Sequence, residues 1–135
     1  MSSLAALPST APTPPALVPT LIRSYQGPTF FDSWDYFADP DPTHGMVNYQ
    51  SRPSATAKQL THVTPSGTAV LQLDRASALA LGEYRDSVRI SSRDTYDAGS
   101  LVVLDLEHAP HGPSVWPAFW TVRLARSLLF EDEVN

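Results

Sequence analysis

The chain has 135 residues, 42% of them hydrophobic, a mean hydropathy of -0.16 and a formal charge of -5. That length suffices for one domain with a core; the acidic balance gives no basic footprint for nucleic acid or an anionic membrane, and no apolar run nears the roughly 20 residues of a spanning helix. The absence of cysteine excludes disulfides and thiolate metal sites and leaves the redox compartment open.

Residues 1–22 carry no charged side chain and are interrupted by Pro8, Pro12, Pro14, Pro15 and Pro19. Their Ser/Thr/Ala/Pro composition predicts a disordered tail. Proline breaks every stretch that could serve as the apolar part of a signal peptide, so none is recognisable; a degraded or wrongly started signal region is the alternative. Thr29 to Phe37 places Phe30, Phe31, Trp34, Tyr36 and Phe37 close together and predicts a strand or strand-turn. Asp39-Pro40-Asp41-Pro42-Thr43-His44-Gly45 is turn chemistry. Met46 to Gln50 predicts a short strand, and Ser54 to Leu60 a loop or single helical turn.

Further on, Thr68 to Asp74 predicts a strand after a Pro65-Ser66-Gly67 turn. Ser87 to Ser92 alternates, with Val88 and Ile90 on one side and Arg89 on the other. Leu101 to Glu107 predicts a longer strand buried on both faces. In His111 to Val122 the alternation puts Trp116, Ala118, Trp120 and Val122 on one face. Such a pair of indoles can fill a core or form a platform for something planar or sugar-like. Arg123 to Phe130 has helix formers with Leu124 and Leu128 on one face, and Glu131-Asp132-Glu133 follows as an acidic cluster. Short strands between turns, without a long amphipathic helix, predict an all-β sandwich.

Four segments in this order resemble the fungal laminarinase-like enzymes of glycoside hydrolase family 16. They are Phe30-Phe31-Asp32-Ser33-Trp34-Asp35 with Asp41-Pro42-Thr43-His44-Gly45-Met46-Val47-Asn48-Tyr49, Ser87 to Ser92 with Tyr96, His108-Ala109-Pro110-His111-Gly112, and Trp116-Pro117-Ala118-Phe119-Trp120-Thr121. The resemblance implies a concanavalin-like β-jelly roll of two antiparallel sheets around a sugar cleft. Roughly the N-terminal half of that domain lies in residues 23–122. It also implies a retaining endo-β-1,3(4)-glucanase chemistry, a β-1,3 or mixed β-1,3/1,4-glucan as partner, and an extracellular location. The family's catalytic strand reads Glu-x-Asp-x-x-Glu, because a retaining hydrolase needs a nucleophilic carboxylate and an acid/base carboxyl about 5 Å apart. After Val122 this sequence instead reads Arg123 to Asn135 without that pattern, so residues 123–135 are taken as a non-family tail of a truncated product. Pro113 stands where the family has a cysteine.

The resemblance places Asn48, Arg89, Trp116 and Trp120 at sugar-contacting positions of the cleft. Asn48 can both donate and accept toward a hydroxyl, the Arg89 guanidinium can fork hydroxyls or orient a carboxylate, and Trp120 offers a face to pyranose C–H groups. Trp116 fits a core equally well, and Arg89 fits a solvated sheet face. No catalytic residue is assigned; Glu131 and Glu133 are poor stand-ins, lacking both the spacing and a strand. His108-x-x-His111, with His44 and His62, has ligand-like spacing, but Pro110 between the pair and the lack of cysteine argue against zinc. Neither metal nor cofactor is expected. A family fragment that holds glucan without cutting it is the favoured expectation. A weak glucan-binding module and an unstable fragment without function are the alternatives.

Overall fold

In a computed structural model, the structure describes residues 18–113 and 115–122. Residues 1–17 of the predicted tail at 1–22, and the segment 123–135 with Glu131 and Glu133, lie outside them. The described residues fall into two compact units, one up to Val102 and one from Val103.

The first unit begins with an extended segment and a 3₁₀ helix, Gly27–Ser33, where one strand or strand-turn was expected; β1 then covers only Trp34–Tyr36. Pro28 at the helix start explains the difference, since its fixed φ suits a helical first turn and it cannot donate to a ladder. β2 is Val47–Tyr49, α1 Arg52–Ala57, β3 Thr61–Val63, β4 Ala69–Leu71, β5 Arg85–Ser87 and β6 Ile90–Ser92. These form three two-stranded sheets, β1–β6, β2–β5 and β3–β4. β1–β6 and β3–β4 are antiparallel as expected of a jelly roll, but β2–β5 is parallel, with Asn48 opposite Asp86. The alternation expected through Ser87–Ser92 is interrupted, because Val88 and Arg89 lie in the break between β5 and β6.

Local chemistry accounts for the best-formed pieces. The β3–β4 turn has Pro65 ahead of Gly67, whose φ of 91° needs glycine. Gly67 N–H donates to Thr64 O at 2.9 Å and Thr68 N–H to Thr64 Oγ1 at 3.0 Å, closing the turn from backbone and side chain together. Helix α1 starts with proline in its first turn and ends in a Schellman motif. Gln59 takes the left-handed conformation (φ 57°) and donates to Thr56 O, and Leu60 N–H reaches back to Ala55 O at 2.7 Å. The accompanying apolar contact positions are Ala55 and Leu60, both buried. Together with Phe31 they are the buried apolar residues among those described. The 3₁₀ helix packs on both β3 and β4, and α1 on β3, so this small core lies over the β3–β4 hairpin.

Aromatic packing ties the segment before β1 to Trp34, and hydrogen bonds tie it to the residues just after β6. Trp34 stacks on Phe30 with centroids 5.8 Å apart and meets Tyr25 at 4.9 Å. The Tyr25 hydroxyl donates to Asp94 Oδ2 at 2.6 Å and lies 2.6 Å from the Tyr96 hydroxyl, while Arg23 pairs with Asp94 Oδ1 at 2.8 Å.

The second unit differs from expectation. Neither Leu101–Glu107 nor Val115–Val122 forms a ladder among the described residues. Val103 is 79% exposed, and Leu104 and Leu106 are also open to solvent. An apolar run patterned for burial on both faces takes strand form only when neighbours cover it and share its backbone hydrogen bonds.

Leu60 is 2% exposed, so Leu60→Ala should cost about 2–4 kcal/mol in urea unfolding. Burial first, then the bonds to Asp94 and Tyr96, raise the Tyr25 hydroxyl above its ordinary value of 10.0. A raised pKa in the folded state stabilises fully below the unfolded value and is lost as pH climbs past it. Wild-type stability, measured by urea unfolding, should therefore decline above a pH of about 10, and Tyr25→Phe should flatten that decline.

Candidate functional site

The first unit has an open cavity of about 830 Å³ whose walls include Asp41, Asn48, Tyr49, Asp74, Tyr84 and Asp86. Its polar floor follows from the β2–β5 pairing. Asn48 and Asp86 face each other in register, and Asn48 Nδ2 donates to Asp86 Oδ1 at 2.6 Å. Gln50, two residues on and therefore on the same strand face, is buried and donates Nε2 to the same oxygen at 2.9 Å. The other carboxylate oxygen, Oδ2, accepts from Lys58 Nζ at 2.5 Å. Gln50 Oε1 in turn accepts from Ser54 Oγ at 2.6 Å and Lys58 Nζ at 3.2 Å. A partly buried carboxylate is costly unless its lone pairs are filled, and here three donors fill them.

Two other cavity carboxylates are built into turns. Asp41 accepts from Thr43 Oγ1 at 2.6 Å and from Gly45 N–H at 2.9 Å. A Cβ at Gly45 would lie 2.5 Å from Asp41 Oδ2, so a larger residue there must displace that carboxylate. The Thr43 hydroxyl bond, followed by the backbone donors and the Arg89 charge, holds the Asp41 carboxyl below the usual carboxylate range. Asp74 is likewise held low, chiefly by Ser77 and the Ala76 N–H. Arg89 lies with its guanidinium carbon 4.6 Å from the centre of the Phe37 ring and Nη1 3.9 Å from Asp41 Oδ1. Phe37 is itself edge-on to Tyr49.

Of the four expected sugar-contacting residues, Asn48 and Arg89 thus belong to one unit. Asn48 lines the cavity, and Arg89 reaches its rim through Asp41. Trp116 and Trp120 belong to the second unit, 92% and 58% exposed, so Trp116 does not fill a core there. Asp86, Gln50 and Lys58 were not singled out from the sequence. Asn48 and Gln50 at a two-residue spacing gave a signal for one polar strand face, but their partners are 36 residues or more away along the chain or in a helix. The rings of His108 and His111 are 6.1 Å apart, edge to face. Among the described residues no group of three or more His, Asp or Glu side chains could hold a metal ion.

Comparison with known proteins identifies the family. Residues 34–127 match the model of the XgeA-like catalytic GH16 domain. A probable endo-1,3(4)-beta-glucanase of Aspergillus flavus is 40% identical over 104 residues, covering 76% of this chain and 15% of the relative. The endo-1,3(4)-beta-glucanase xgeA of Emericella nidulans is 38% identical over 104 residues, again 76% of this chain and 16% of the relative. The chain therefore spans about a sixth of the length of these relatives. Among solved structures, an elongating GH family 16 beta-1,3-glucosyltransferase is similar at 43% identity with a TM-score of 0.55, over 58% of this chain and 27% of that one. A family model that covers residues 34–127, relatives near 40% identity and a solved member sharing the fold agree: the chain belongs to glycoside hydrolase family 16 and carries part of its β-jelly roll.

Proposed function

We propose that this chain is the sugar-holding part of a family 16 β-glucan hydrolase, and that it binds β-1,3 or mixed β-1,3/1,4-glucan without cleaving it on its own. The observation that carries the reading is Asn48, exposed on the cavity wall with its amide already anchored to Asp86. An oriented amide in an open, tyrosine-lined cavity suits a neutral chain of hydroxyls. Trp116 and Trp120, exposed in the second unit, add faces on which pyranose rings can stack.

The carboxylates argue against hydrolysis by this chain alone. A retaining mechanism needs one ionised carboxylate as nucleophile and one protonated carboxyl as acid. Asp41 and Asp74 are held in the ionised form by hydrogen bonds, Asp86 is paired with Lys58, and Glu83 Oε2 accepts from Ala80 N–H at 2.8 Å. Asp41 and Asp74 thus lack the environment of a general acid, and the Glu-x-Asp-x-x-Glu pattern does not occur in the sequence. The solvent-exposed Val103, Leu106, Phe119 and Val122 favour a second reading, an unstable fragment without function. A cooperative thermal melt of the purified chain rejects that reading, and its absence supports it.

Laminarin titration should shift the tryptophan fluorescence of the wild type, and Trp120→Ala should weaken binding about 5- to 10-fold, the worth of one stacking contact. No shift in the wild type refutes the binding reading. Reducing-sugar release from laminarin should not exceed a boiled control. Release above it refutes the inactive assignment, and Glu131→Gln with Glu133→Gln then tests the acidic tail.

A further inference from the structure

We propose that Asp86 is a positioning residue that fixes the orientation of the Asn48 amide so that its carbonyl oxygen is presented to the ligand, a role that rests on the glucan-binding reading. An asparagine amide can turn about its last torsion and present either a donor or an acceptor. Here the orientation is set. A carboxylate only accepts, so the amide edge 2.6 Å from Asp86 Oδ1 is the NH₂ group. Asn48 Oδ1 then faces away from Asp86 and has no hydrogen-bond partner among the described residues. It is an oriented acceptor at the wall of the cavity.

The orientation is enforced from further away. Ser54 Oγ and Lys58 Nζ both donate to Gln50 Oε1, which turns the Gln50 NH₂ toward Asp86 Oδ1. Lys58, the sole lysine of the chain, also holds Asp86 Oδ2. The carboxylate is therefore pinned from three directions before any ligand arrives, and its side chain is only 16% exposed. A positioned acceptor beside Asp86 and Asp41 selects a neutral hydroxyl donor and repels an anionic sugar.

The test is a double-mutant cycle on laminarin affinity, measured by isothermal titration with Asn48→Ala, Asp86→Ala and the combined variant. Each single change should weaken binding by about 5- to 10-fold, and the combined variant should bind no more weakly than Asn48→Ala alone. Multiplicative weakening would overturn the positioning role, because Asp86 would then act independently of Asn48. Should Asp86→Ala lose its cooperative melt, Asp86→Asn replaces it. The side-chain NH₂ resonances of Asn48 in nitrogen–proton NMR give a second readout. They should be a sharp, slowly exchanging pair in the wild type and exchange faster in Asp86→Asn; unchanged exchange also overturns the role. If wild-type protein fails to bind laminarin, the glucan reading falls and the positioning role with it. Binding with independent mutational effects removes the positioning role alone.

Discussion

The Asp86 carboxylate is the constraint on which the first unit depends. β2 and β5 are three residues each and parallel, too short for their ladder alone to hold a register. Their side chains supply what the backbone lacks. Asn48 and Gln50 from β2 and Lys58 from the end of α1 converge on one charge from β5. Removing that charge leaves a cation and two amides without their acceptor, and removing the donors leaves a partly buried anion unpaired, the more costly of the two. The pair between Lys58 and Asp86 differs in this from Arg93 with Asp35 or Arg52 with Asp32, whose partners are all largely solvated and contribute little.

The position of Lys58 is itself a consequence of packing. It caps α1, and the chain can turn there only because Gln59 takes a left-handed conformation while Leu60 folds back onto Ala55. That conformation costs a non-glycine residue roughly 1–2 kcal/mol. Burial of a leucine side chain, worth about 1.5–3 kcal/mol, offsets it. Core packing at Leu60 thus places Lys58, Lys58 holds Asp86, and Asp86 orients the one cavity-lining residue that the family resemblance assigned to sugar.

Which parts of this were legible depends on the range of the interaction. The Pro65-Ser66-Gly67 turn and the helical turn near Ser54 were readable because the deciding contacts lie within five residues of one another. The family was readable because its motifs are local and ordered. The aromatic segment, expected as a strand or strand-turn, keeps its strand only at Trp34–Tyr36, because Pro28 sets a helical turn in the backbone before it. The parallel β2–β5 pairing and the Asp86 network had no local signal. They join residues 28 to 38 positions apart, and nothing in Tyr84-Arg85-Asp86-Ser87 distinguishes a network aspartate from a solvated one.

The apolar segments of the second unit complete the physical picture. Leu101, Val102, Val103 and Leu104 leave no polar face, a pattern that suits a central strand covered on both sides. The similarity to the solved glucosyltransferase extends over 27% of that chain. The hydrogen-bond network around Asp86 closes within the first unit, on residues 48–86.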